Sequence, residues 1–307
     1  MKFSFILILI LLNAPSFLFG QKETRYTSLK TDTIEFHKIK WLDLVCSELP
    51  MLEKYADSLI HLESLYFKGC GLKELPKGIG NIKSLGLLNV EENQLNDLPE
   101  EFRHLYNLSV LNLRGNHFTK LPEVLEDVPL LREIDLSDNP KLNISNTLEV
   151  LAKVEKLDFL YLSNVNLIKI PSTIERLKSL KELHLSHNPD LDLADTFMSL
   201  AKVSHLKILV LSHNNIKDVP KELQLMNQLY GLVLDHNPNI EIISLLQHLE
   251  NLPNLKVVLL RNNNLDQLPE DVKNLSGLEV LELSGNNFSI VEQERIKAVL
   301  PGVNVIF

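Results

Sequence analysis

Leu180–Asn188 reads LKELHLSHN, with leucines at places 1, 4 and 6 (Leu180, Leu183, Leu185) and an asparagine at place 9. The same frame returns as LGLLNVEEN from Leu85, LSVLNLRGN from Leu108, LREIDLSDN from Leu131 and LKILVLSHN from Leu206. It recurs as LYGLVLDHN from Leu229, LKVVLLRNN from Leu255 and LEVLELSGN from Leu278. Two copies depart at place 9: LESLYFKGC from Leu62 carries Cys70 and LDFLYLSNV from Leu157 carries Val165. A weaker copy, IKWLDLVCS, begins at Ile39.

In a short strand, places 4 and 6 point one way and places 3, 5 and 7 the other. The leucines therefore line an interior, and the alternate residues form one face of a parallel sheet with rungs about 4.8 Å apart. Where the chain leaves the strand its buried N–H and C=O groups have no ladder, and the place-9 asparagine carries both donors and an acceptor to bond them. Val165 cannot, so water, Asn164 or Asn166 is expected to satisfy that rung.

The copies start 23 or 26 residues apart, and after Leu131 the two lengths alternate. Shorter units return through Leu-Pro or Ile-Pro (Leu75-Pro76, Leu98-Pro99, Leu121-Pro122, Ile170-Pro171, Leu268-Pro269), where a residue without an N–H can start a tight turn. Longer units instead space Leu148, Leu151 and Val154, or Leu246, Leu249 and Leu252, along one side of a helix.

This register resembles the leucine-rich repeat family. The resemblance spans residues 39–307 and implies an α/β solenoid of about 11 repeats, with a curved parallel sheet on its concave face and short helices and turns on its convex face. Its Leu-Pro turns look like the short, widespread class shared by bacterial, plant and animal members. Members typically bind other proteins on the concave face, so the resemblance implies a binding scaffold without naming its ligand.

The ends differ from the middle. Residues 1–20, MKFSFILILILLNAPSFLFG, have the length and order of a secretory signal peptide, with cleavage expected after Gly20 and an uncleaved anchor helix as the alternative. Residues 21–38 form a polar lead-in, with Thr33 to Phe36 as a candidate capping strand, and residues 39–307 form the repeat domain with terminal caps. A helix is expected from Pro50, and Trp41 suits a cap. After Leu278, Ile296, Val299 and Leu300 suggest a last helix and Val303, Val305 and Phe307 a closing strand, so no catalytic domain is expected to follow. The expected localisation is exported: secreted, periplasmic or cell surface.

A formal net charge of -9 argues against nucleic acid and anionic membrane surfaces as partners. Catalytic triads, glycine-rich phosphate loops and C-x-x-C pairs are absent from the sequence. No enzyme, cofactor or small-molecule substrate is therefore expected.

His187, His213 and His236 occupy place 8 of three consecutive units, with His184 at place 5 nearby. Stacked rungs would bring them together as a transition-metal or pH-sensing group. Simple exposure of a duplicated place 8 is the better account of them, and no metal site is assigned. Asp190, Asp192 and Asp195 lack the glycine and terminal glutamate of a calcium loop and read as a solvated turn. Cys46 and Cys70 lie on adjacent rungs of a chain expected to be exported. Place 8 facing solvent and place 9 facing inward argues against a bridge.

Places 3 and 5 of the last four units read Ile208, Val210, Gly231, Val233, Val257, Leu259, Val280 and Glu282, an apolar run on a face expected to be open to water. Phe159 and Tyr161 add an aromatic pair, and Glu133, Asp135 and Glu182 make an acidic middle. The expected partner-binding residues are Phe159, Tyr161, Ile208, Val210, Val233, Val257, Leu259 and Val280, engaging a protein. The competing reading is an envelope-tethered adhesion protein that binds carbohydrate or matrix.

Overall fold

The computed structural model describes residues 25–30 and 35–307; the candidate signal peptide lies outside them, as do Thr33 and Ile34 of the candidate capping strand. Among the described residues the architecture is a single parallel sheet of 13 strands whose spatial order is their sequence order. After β1 (Arg25–Tyr26) come β2 (Trp41–Asp43), β3 (Ser64–Tyr66), β4 (Leu87–Asn89), β5 (Val110–Asn112) and β6 (Glu133–Asp135). Then follow β7 (Phe159–Tyr161), β8 (Glu182–His184), β9 (Ile208–Val210), β10 (Gly231–Val233), β11 (Val257–Leu259), β12 (Val280–Glu282) and β13 (Asn304–Ile306). Strands β2 to β12 are the eleven predicted rungs; β1 and β13 are added at the ends.

Each three-residue strand presents its middle residue inward. Leu42, Leu65, Leu88, Leu111, Ile134, Leu160, Leu183, Leu209, Leu232, Val258 and Leu281 are fully buried in one continuous core. Neighbouring strands pair in strict register, so place 3 sits beside place 3 and place 5 beside place 5 along the whole array.

After the strand the chain turns at place 8 in the left-handed region. Gly69, Glu92, Gly115, Asp138, Asn164, His187, His213, His236, Asn262 and Gly285 all have φ between 52 and 71°. Only glycine adopts this at no steric cost, with Asn, Asp and His the next most tolerant, which accounts for most of the residue types found there. Glu92 is the least suited, and Lys68 bridges its carboxylate and that of Glu91 at 2.9 and 3.0 Å.

The place-9 asparagines form the predicted spine. Asn188 Nδ2 donates to the Leu162 and Leu185 carbonyls at 2.9 and 3.0 Å, and its Oδ1 accepts from Val165 N and Leu167 N at 3.2 and 3.0 Å. Asn214, Asn237, Asn263 and Asn286 likewise donate to a carbonyl of the preceding unit, those of Leu185, Leu211, Leu234 and Leu260. At the Val165 rung, neither neighbouring amide takes over the missing role. Asn164 Nδ2 donates to Asp138 Oδ1 and Asn166 Nδ2 to Pro140 O, leaving no carboxamide oxygen opposite Asn139 N.

The two unit lengths give two kinds of convex connection. Shorter units return through 3-10 turns such as Lys77–Asn81, Glu100–His104 and Ser172–Arg176, each entered from the proline. Longer units carry true helices, α2 (Ile144–Leu151), α3 (Leu193–Leu200) and α4 (Ile242–Leu249). Asn143 and Asp192 cap α2 and α3 by accepting from Asn146 N and Asp195 N, both at 3.0 Å. Asp192 and Asp195 are thus a helix start.

Among the described residues the N-terminal edge is closed by β1, and Phe36, the last residue of the candidate capping strand, opens a 3-10 turn, Phe36–Lys38. Arg25 pairs with Asp43 and lies over the rings of Trp41 and Tyr66, while buried Glu48 accepts from Leu29 N at 2.7 Å. Helix α1 (Leu49–Tyr55) begins with Pro50 in its first turn. Cys46 and Cys70 are disulfide-bonded, with Cα atoms 5.2 Å apart, against the expectation from place 8 and place 9. The first unit does not make the left-handed turn at place 8. Cys46 instead opens a 3-10 turn, Cys46–Glu48, which swings its side chain toward the next rung. At the other end α5 (Ile290–Val299) and β13 follow β12, with Val303 and Val305 buried. Among the described residues no helix is long and apolar enough to cross a membrane.

Candidate functional site

The face built by the first and third strand residues is divided by chemistry along its length. At the N-terminal end Trp41 and Tyr66 stack at 5.3 Å with their planes 12° apart. In the middle Glu133 and Asp135 on β6 and Glu182 on β8 are all buried. Burial raises the Asp135 carboxyl above the ordinary range, opposed by hydrogen bonds from Ser137. Glu182 bonds the ring of His184 at 2.6 Å, and His184 in turn stacks on Tyr161 at 4.2 Å.

From β9 to β12 the face is apolar apart from Gly231 and Glu282. Ile208, Val210, Val233, Val257, Leu259 and Val280 form one cluster, separate from the inner core, with Tyr230 and Ile306 packed against it. The expectation of a water-exposed patch needs correction, because Ile208, Val233 and Leu259 are only 2, 3 and 2 % exposed. In-register rungs set each side chain between its counterparts on either side, so branched residues close over one another.

Of the eight predicted partner-binding residues, six are therefore joined. Phe159 and Tyr161 are half-buried on β7 and stand apart from the other six, because β8 with Glu182 and His184 lies between β7 and β9. Sequence reasoning missed Tyr230 and Ile306. Gly231 offers no side chain at place 3 of its rung, and the neighbouring Tyr230 packs there, its hydroxyl donating to Glu279 Oε2 at 3.1 Å. Ile306 continues the place-5 row into the closing strand, where no repeat frame marks it.

The three place-8 histidines do come together. His187 and His213 stack at 4.3 Å and His213 and His236 at 4.1 Å, with planes 10 and 11° apart. Parallel stacked rings direct their nitrogen lone pairs side by side rather than at one point. No metal-holding group of three or more His, Cys, Asp or Glu occurs among the described residues. Burial and the two flanking imidazoles hold the His213 pKa below the usual histidine value.

Residues 19–158 match the family model described as a leucine-rich repeat region. A solved internalin, InlF of Listeria monocytogenes, shares 21 % identity over 82 % of this chain and 75 % of its own, with a TM-score of 0.58. A leucine-rich-repeat protein of Leptospira interrogans covers 93 % of this chain and 100 % of its own at 22 % identity, with a TM-score of 0.40. A second Listeria internalin, InlC2, covers 68 % and 83 % respectively at 23 % identity, with a TM-score of 0.48. No curated protein matches the chain significantly. The family match over residues 19–158 and the unbroken register of leucines, asparagines and parallel strands through β12 give the chain a leucine-rich-repeat fold.

Proposed function

We propose that this protein is an exported, non-enzymatic scaffold that binds another protein on the concave sheet face, across the apolar cluster from Ile208 to Val280. In this reading residues 1–20 are a signal peptide, 21–38 a lead-in and 39–307 the binding domain. The observation that carries the proposal is the apolar cluster itself. It belongs to the sheet face rather than to the inner core. The Cys46–Cys70 bond supports export, since such bonds persist in oxidising compartments.

The carbohydrate reading is weaker for a geometric reason. Sugars pack on the open faces of aromatic rings, whereas in-register rungs turn the rings against each other. Trp41 faces Tyr66, and Tyr161 faces His184. Each pairing covers one face of both rings and so reduces the open ring surface a sugar could use.

The test is affinity capture from the native extracellular or envelope fraction, with the parent protein and a Val233→Thr, Val257→Thr, Val280→Thr variant as baits. Threonine keeps the shape of valine, so it avoids the buried carboxylate that aspartate would create at these nearly unexposed positions. A protein retained by the parent and reduced at least tenfold on the variant, with Tm shifted by only a few degrees, is the expected result. Equal capture by both would remove the apolar cluster from the binding site.

A further inference from the structure

We infer that a cavity at the edge of the sheet, beside β6 to β8, binds a phosphate monoester; this stands independently of the sheet-face reading. The cavity measures about 430 Å³, and Ser109, Arg132, Lys156, Asp158, Ser179 and Lys181 contribute to its lining. Arg132, Asp158 and Lys181 share place 2 of three successive units, immediately before β6, β7 and β8. The parallel register therefore brings them side by side.

Asp158 is almost completely buried, and cations from both neighbouring rungs reach it. Arg132 Nε donates to its Oδ2 at 2.7 Å, with Nη2 on the same oxygen, and Lys181 Nζ lies 2.8 Å from Oδ1. One cation would compensate a buried carboxylate; the second leaves the trio positive. Lys156 adds another charge, and among the described residues it has no ion-pair or hydrogen-bond partner. Three cations against one carboxylate give the cavity two positive charges, in a chain whose formal net charge is -9. Other place-2 lysines are spent on the backbone. Lys207 and Lys256 donate to the carbonyls of Gln228 and Gly277 at 3.2 and 2.9 Å.

The unused donors define the ligand. Arg132 keeps its Nη1 amino group, Lys181 keeps two ammonium protons and Lys156 keeps three. Cations gathered this closely repel one another, and a doubly charged oxyanion between them removes that cost. A phosphate monoester carries about −1.5 to −2 charge at pH 7 and three acceptor oxygens. Ser109 and Ser179 already donate to the Gly86 and Glu155 carbonyls at 3.1 and 2.6 Å, so the cations make the recognition. The volume falls in the range of small-ligand sites, about 300–1,000 Å³, which leaves room for a compact polar group carrying the phosphate. The acidity of the rest of the chain disfavours an extended polyanion, so a single phosphate is what fits.

Isothermal titration calorimetry of the parent protein with glucose 6-phosphate, glucose and inorganic phosphate tests this. Glucose 6-phosphate is expected to bind, glucose to show no binding, and added sodium chloride to weaken the complex. Inorganic phosphate should bind more weakly than the ester, because it leaves the cavity part-filled. Lys156→Gln should weaken the ester about tenfold, the worth of one charge-assisted hydrogen bond. Its melt should not change, since this lysine has no partner to lose. Lys207→Gln, one rung outside the cavity, should bind the ester as the parent does. No binding of the ester, or equal binding by the parent and Lys156→Gln, overturns the site. Equal affinity for inorganic phosphate and the ester overturns the assignment to a monoester.

Discussion

Replacing Asn188 by alanine tests the asparagine spine at its most exacting point, the rung that faces Val165. The carboxamide serves five backbone groups: Val165 N, Leu167 N, Leu162 O, Leu185 O and Ser186 O, the last of which also accepts from Asn164 N. Leu185 O also accepts from Asn214 Nδ2 at 3.0 Å and keeps that partner. Two buried N–H groups and one buried C=O are left without one. At about 1–3 kcal/mol for each orphaned buried group, the loss is about 3–9 kcal/mol, with entry of water favouring the lower end. Because each unit touches only its neighbours, the damage should be local before it is global. Hydrogen exchange should show faster opening at Val165 and Leu167, while amides near β3 and β12 change little. Urea denaturation should then give the summed cost. A loss below about 1 kcal/mol with unchanged exchange at those two amides would refute the claim that the carboxamide stabilises the turn by bonding backbone.

The converse change, Val165→Asn, should place an acceptor opposite Asn139 N and raise stability by about 1 kcal/mol, less the burial forfeited by the valine; urea midpoints check it. Removing the disulfide with Cys46→Ser and Cys70→Ser opens a link 24 residues long and should cost roughly 3 kcal/mol in the chain-entropy account. The loss should appear as early proteolysis before residue 62 rather than as global unfolding. His213 has a lowered pKa in the fold, so the folded state resists a proton that the unfolded chain accepts. Its contribution is neutral above the unfolded value of about 6.5 and becomes unfavourable as pH falls below it. His213→Asn, which tolerates the left-handed turn, should therefore lose less Tm than the parent between pH 7.5 and 5.

Much of this molecule was legible in one dimension. The nine-place frame located every strand from β2 to β12, because the inward or outward sense of a side chain depends only on local alternation. The Leu-Pro returns and the three-to-four spacing around Leu148 and Leu246 separated tight turns from helices for the same reason: both are decided within a few residues. The composition of the sheet face, apolar toward the C-terminal end and acidic in the middle, was also readable.

What the frame left undecided were relations between residues a full unit apart. Whether Cys46 meets Cys70 depends on the turn taken after β2, and the first unit abandons the turn that the others share. The separation of Phe159 and Tyr161 from the Ile208–Val280 cluster, and the inclusion of Tyr230 and Ile306 in it, follow from lateral order along the sheet. The near-complete burial of that cluster arises only when in-register rungs press like side chains together. Alternation along the chain assigns each residue to a face; contact across the rungs determines what that face becomes, and that contact exists only once the units have stacked.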